Sequence, residues 1–196
     1  MIGMLPMFVL KFFDKDLIAK TMVAKDFNDT IDVWIEGLNR YSFNELIAKP
    51  IPGRWSLGQI YMHVMQESGF FFTQIVICAS NDENAEERMN SDAREMFLNN
   101  GFPDQEIEGP PSNALVRQPE SKEYLVNAFA ELRNRIGEMA QLISMSQFNG
   151  KTRHPGLGFF SADDWFQFTE MHCRHHLRQK ARIEKALAEG RNHLQA

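Results

Sequence analysis

Three histidines occupy positions where helical packing calls for apolar side chains. In the last amphipathic stretch the seam that opens at Trp165 continues through Thr169, His172, His176 and Gln179 before it returns to Ile183. Phe166, Phe168, Met171 and Leu177 flank this stripe, so the stretch is packed and its polar seam faces inward or into a cleft, where each group needs a partner. His172 and His176 stand at i and i+4, about 6 Å apart on one face, a spacing that lets two imidazoles reach one metal ion. An earlier stretch places Ile60, His63, Glu67, Phe70 and Phe71 on one face, and His63 is again polar where an apolar residue is expected. Three neutral imidazoles leave one position of a tetrahedral ion open, as catalytic rather than structural sites do. Nitrogen donors favour zinc or nickel over magnesium and calcium, which prefer oxygen.

Other groups near this constellation have plainer readings. Taken alone, His63 reads as a satisfied core or surface histidine, and only the pair on the later helix turns it into a candidate ligand. His175 is rotated about 100° from His176 and is expected at the surface, although a His172/His175 pair at i+3 is a competing ligand assignment. Cys173 points away from the seam and reads as a small packing residue. His154 precedes Pro155 in a turn and is expected to hydrogen-bond the loop, while His193 lies in the terminal stretch. Gln179, one turn past His176, reads as a hydrogen-bonding support for a ligand. Glu67 is the one carboxylate with a site-facing phase: it is a candidate general base toward a metal-bound water, a partner for a ligand imidazole, or a carboxylate paired with a cation at the rim. There is no Ser/His/Asp constellation, no Gly-rich phosphate loop and no C-x-x-C.

The elements that must position these residues are helical. Val23, Phe27, Ile31, Trp34, Leu38 and Tyr41 share one face of a first helix predicted over about 20 to 42. Ser56 and Gln59 form a capping box that opens a second over 56 to 80. Leu125, Phe129, Leu132, Ile136, Met139 and Ile143 keep a 4-3-4-3-4 spacing in a third over 121 to 148. Ser161, Asp163 and Asp164 start a fourth over 161 to 189, before Gly190. No stretch sustains period-two alternation, so the class is all-α, a four-helix bundle with no strand expected. The connection Asn81 to Gln118 between the second and third helices is too long for a tight turn; its polar half fits a short helix, and Gly101, Pro103, Gly109, Pro110 and Pro111 interrupt the rest.

A chain of 196 residues with 43% apolar residues builds one domain, with its core over about 20 to 188. A formal charge of -5 is the wrong sign for neutralising phosphates, so nucleic acid is not an expected partner. Two cysteines, Cys78 and Cys173, make no disulfide framework and suggest a reducing compartment. The apolar segment Met1 to Phe13 has no basic region before it, is interrupted by Lys11 and lacks a cleavage site. The expectation is a cytoplasmic protein without a membrane span, with this segment packed along the domain or extending the first helix.

The segment Trp55-Ser56-Leu57-Gly58-Gln59-Ile60 followed by His63, the HPGLG run at His154 to Gly158, Trp165, and H-x-x-x-H-x-x-Q at His172 to Gln179 together resemble the DinB-like superfamily. The likeness covers roughly residues 20 to 188, and is nearest to members described as metal-dependent hydrolases. The resemblance implies a four-helix bundle whose divalent metal, zinc or nickel, is held by one histidine of the second helix and two of the fourth; here these are His63, His172 and His176. It further implies an enzyme that activates a low-molecular-weight thiol or water, as a thiol S-transferase or a hydrolase acting on a small molecule. The alternative is a non-catalytic metal- or ligand-binding bundle, dimeric and stress-related, because fold-level analogy alone is a weak warrant for chemistry.

Overall fold

The computed structural model describes residues 15–104 and 115–194, with side chains described over 21–104 and 115–190. The apolar segment 1–13, Gly109, Pro110, Pro111 and the side chain of His193 lie outside these. The chain is mostly helical, with α1 (Lys15–Leu38), α2 (Phe43–Ile47), α3 (Leu57–Cys78), α4 (Ser91–Leu98), α5 (Lys122–Met145), a hairpin of β1 (Thr152–His154) and β2 (Gly158–Phe160), and α6 (Ala162–Leu194). The four long helices pack in a ring, α1 on α5, α5 on α3, α3 on α6 and α6 on α1. Apolar stripes explain this order. The six predicted seam residues of α5 are its buried residues, and Phe27, Ile31, Trp34 and Leu38 of α1 are fully buried. Tyr61 meets Trp34 and Phe129 edge to face where three helices come together, and Trp34 lies tilted against Phe129.

Local chemistry sets the boundaries. At the head of α3, Ser56 Oγ accepts from Gln59 N–H at 3.1 Å, and Gln59 Oε1 accepts from Ser56 N–H at 3.2 Å. The same reciprocal pair, Ser161 with Asp164, opens α6. The first helix both starts and ends earlier than predicted, at Lys15 and Leu38: the chain tightens into i to i+3 bonds through Leu38–Tyr41, and a second capping box, Ser42 with Glu45, starts α2. Tyr41 therefore keeps its buried position from a turn rather than from the helix. At the other end α6 runs through Gly190 to Leu194, since a glycine weakens a helix by only about 1 kcal/mol against alanine.

The hairpin departs from the strand-free expectation. Its strands have three residues each, too short to show alternation, and the turn creates the pairing. Pro155 supplies the φ that the turn needs, Leu157 N–H closes on His154 O at 3.4 Å, and Gly158 sits at φ +87°. A Cβ there would also stand 2.8 Å from Arg88 O, because Gly158 bridges to Met89 in the connection before α4. The hairpin thus pins the long connection to the start of α6.

Candidate metal centre

Helix α3 supplies His63 and helix α6 supplies His172 and His176, and the packing of α3 on α6 turns all three toward one point. His176 Nε2 lies 3.1 Å from His63 Nε2 and 3.1 Å from His172 Nε2, and the three ligand atoms lie within 4.8 Å of one another. All three residues are buried, at 6%, 9% and 8% relative exposure.

Hydrogen bonding among the three does not satisfy this arrangement. His176 Nδ1 is 3.0 Å from Gln179 Oε1, so the proton sits on Nδ1 and a single lone pair at Nε2 faces the centre. That lone pair takes one good hydrogen bond, yet two other Nε2 atoms stand equally close. His172 Nδ1 is buried without a partner, so whichever nitrogen of His172 carries the proton, one of its two polar atoms is poorly served. A cation at the common point resolves this. Two nitrogens on one tetrahedral zinc at about 2.05 Å stand about 3.3 Å apart, close to the two short separations found here.

Burial also favours the neutral, ligating form of each ring. Desolvation pulls His63 down to about 4, and His176 down to about 3 with help from the neighbouring His63 and His175. His172 is held well below the ordinary imidazole range, first by burial and then by charge on the surrounding histidines. Donors of this kind, neutral near pH 7 and backed by a polar group on the far nitrogen of one ring, suit zinc or nickel.

The remaining candidates separate cleanly. His175 is not at the surface as expected: half-buried, it stacks against Phe102 with ring centroids 4.8 Å apart, and its Nδ1 accepts from Arg178 at 2.6 Å, away from the three Nε2 atoms. Cys173 packs with its Sγ 3.5 Å from Ser68 Oγ, and burial pushes its thiol up to about 12, so it carries no thiolate near neutral pH. His154 accepts from Gly156 N–H at 3.2 Å within its turn. Gln59 adds to its capping role a bond from Nε2 to Val116 O at 2.6 Å, tying α3 to the end of the long connection. Glu67 lies one turn past His63, half-buried, and desolvation raises its carboxyl pKa.

Two features escape sequence reasoning. Phe102 covers His172 and His175 from the α4–α5 connection, and nothing in its local sequence marks it. Glu170 is buried on α6, where it accepts from Thr30 Oγ1 at 2.9 Å and from Arg174 Nε and Nη2 at 2.9 Å each. The Glu-x-x-x-Arg spacing is the available signal, but it is equally that of a solvated ion pair.

Taken together, the ring of long helices and the buried trihistidine point define a helical protein with a metal-competent centre. The chain belongs to the DinB superfamily, whose family model matches residues 26–179 and so spans all three histidines. No curated protein and no solved structure matches the chain.

Proposed function

We propose that this protein is a metal-dependent enzyme built on a four-helix bundle, in which His63, His172 and His176 hold one zinc or nickel ion and a small molecule is the substrate. The observation that carries the reading is the convergence of three neutral, buried Nε2 atoms that their own hydrogen bonds cannot satisfy. Such an ion supplies a Lewis acid that brings the pKa of a thiol or a water toward neutrality, the chemistry of thiol S-transfer and of hydrolysis alike. The chain's own residues do the rest. Gln179 fixes the tautomer and tilt of His176. Glu67, half-buried one turn past His63 with its carboxyl pKa raised by desolvation, serves as general base. No helix among the described residues is long and apolar enough to cross a membrane.

The test begins with metal analysis of protein purified without a histidine tag. Zinc- or nickel-loaded and metal-stripped samples are then compared on small thiols with electrophiles, and on simple esters and amides. Turnover that depends on the metal and disappears in His176→Ala supports the enzyme. Inactivity on both panels with a large thermal shift on loading favours a binding bundle instead. Glu67→Gln that keeps both metal and rate removes the general-base role.

A further inference from the structure

Two aromatic side chains differ from the rest near the trihistidine centre. Phe71 and Phe168 also lie close to His172, at centroid separations of 5.4 and 6.4 Å, but both are buried and belong to the core. Trp55 and Phe102 are only partly buried, although each ring meets imidazoles of the histidine cluster. Trp55 lies 5.0 Å from His63, and Phe102 lies 6.2 Å from His172 and 4.8 Å from His175. They reach the centre from different loops, one preceding α3 and one following α4, and they flank different ligand rings.

Phe102 packs against the core, its ring 5.4 Å from that of Phe168, and stays partly exposed. Arg174 Nη2 donates to Asn100 O at 2.7 Å, and Gln167 Nε2 donates to Asn100 Oδ1 at 3.2 Å. Arg178 donates to Pro103 O at 3.1 Å, to Phe102 O at 3.4 Å and to Asp104 Oδ1 at 3.2 Å. Asn100 adopts φ +47°, the left-handed turn that lets the loop fold back onto α6. Phe102 is thus fixed both by its contact with Phe168 and by its latched backbone, and the residue remains only partly buried. A rigid, half-open ring beside a metal-competent centre offers a preformed surface on which a planar apolar group can lie at little entropic cost.

From this placement we infer that Trp55 and Phe102 form an aromatic clamp at the mouth of the trihistidine centre, selecting a ligand that carries an aryl or similar planar apolar group next to its metal-binding atom. The inference rests on the proposed metal site and names the class of molecule that site takes. Its selectivity is a property of the two rings, separate from whatever reaction follows.

The experiment titrates the zinc-loaded, full-length protein with benzohydroxamate and with acetohydroxamate, which share one metal-binding group and differ in phenyl against methyl. Binding is read by calorimetry and tryptophan fluorescence. The expected result is about tenfold tighter binding of the phenyl compound, from one aromatic contact on each side. Trp55→Leu and Phe102→Leu should each remove several-fold of that preference while leaving zinc stoichiometry and acetohydroxamate affinity unchanged. Trp55→Phe should restore most of it. Equal affinities in the unsubstituted protein overturn the clamp, as does a loss in the variants that is the same for both compounds, which is what a merely structural cover would give. Protein that takes up no zinc overturns the functional reading and this inference together, whereas zinc uptake without aryl preference overturns the clamp alone.

Discussion

Glu170 and His176 sit on the same helix, less than two turns apart, and both are buried, yet their surroundings differ in kind. The Glu170 carboxylate receives three donors from Thr30 and Arg174, so its charge is matched within the chain. One turn past His176, Lys180 is likewise buried and paired with Glu184, which also accepts from Tyr41 Oη at 2.8 Å. The imidazoles between these pairs face one another nitrogen to nitrogen at 3.1 Å, with His172 Nδ1 left unpartnered. A folded chain can bury a polar group by completing its partners or by leaving them to a ligand. Helix α6 completes its partners at Glu170 and Lys180 and, within the same four turns, leaves those of His172 open to a ligand.

The sharpest way to break the contrast is to remove the guest's donors. His63→Ala, His172→Ala and His176→Ala should each abolish stoichiometric zinc or nickel binding, read by elemental analysis of untagged protein. Loading the unsubstituted protein at about 100 times the dissociation constant should stabilise it by about 2.7 kcal/mol, a rise of roughly 5 to 10 °C in Tm at this chain length. If the alanine variants show the same rise, the three histidines belong with Glu170 as internally satisfied groups.

Acid separates the two regions next. An unfolded imidazole titrates near 6.5, whereas in the metal-free fold His63 is held to about 4 and His176 to about 3. Above pH 6.5 both states carry neutral rings and the fold keeps its full stability. As the pH falls below 6.5 the unfolded chain takes up protons that the folded chain refuses, and stability drops until the folded pKa values are reached. The loss is on the order of 3 kcal/mol for either ring by pH 4. His154 and His175, each held to about 4, add to the same slope. Urea midpoints between pH 7 and pH 4 measure the sum, and a shallower fall in His176→Ala isolates that ring's share.

How far the sequence could reach follows the same line. The α5 seam, the Ser56 box and the inward phase of His63, His172 and His176 are readable because each depends on residues within a turn or two of one another. The predicted end of the first helix falls about four residues too late because Tyr41 keeps the periodicity even though Ser42 and Glu45 restart the chain as α2. The hairpin leaves no mark in the sequence pattern because a turn, rather than alternation, pairs its strands. Phe102 depends on the distant Arg174 and Arg178 latch, which no local pattern reveals, and the local Glu170–Arg174 spacing does not tell a buried carboxylate from a solvated one without the distant Thr30.

Arg174→Ala tests the self-satisfied half. It strips two of three donors from a carboxylate whose side chain is 4% exposed, so it should cost about 3 kcal/mol. Glu170→Gln should cost less, because Arg174 is 43% exposed and water can replace its partner. Chemical denaturation measures both. Zinc stoichiometry should survive in each variant; its loss would show that the two halves of the seam are coupled rather than separate.

The smallest expected effect lies where the two kinds of burial meet. Gln179 is half-buried and belongs to the chain's own hydrogen bonding, yet its one described partner is the far nitrogen of a candidate ligand. By accepting from Nδ1 it keeps the Nε2 lone pair of His176 on the centre. Gln179→Leu keeps the bulk and removes the acceptor, so His176 can rotate or carry its proton on Nε2, where it blocks the metal. Supports of this kind are typically worth 10- to 100-fold in metal affinity, about 1.4 to 2.7 kcal/mol. A competition titration against a chromophoric chelator should show that weakening with the stoichiometry still at one. Gln179→Glu accepts at the same place with a full negative charge and should bind at least as tightly as the unsubstituted protein. If both variants bind like the unsubstituted protein, Gln179 is an ordinary surface amide and His176 is oriented by packing alone.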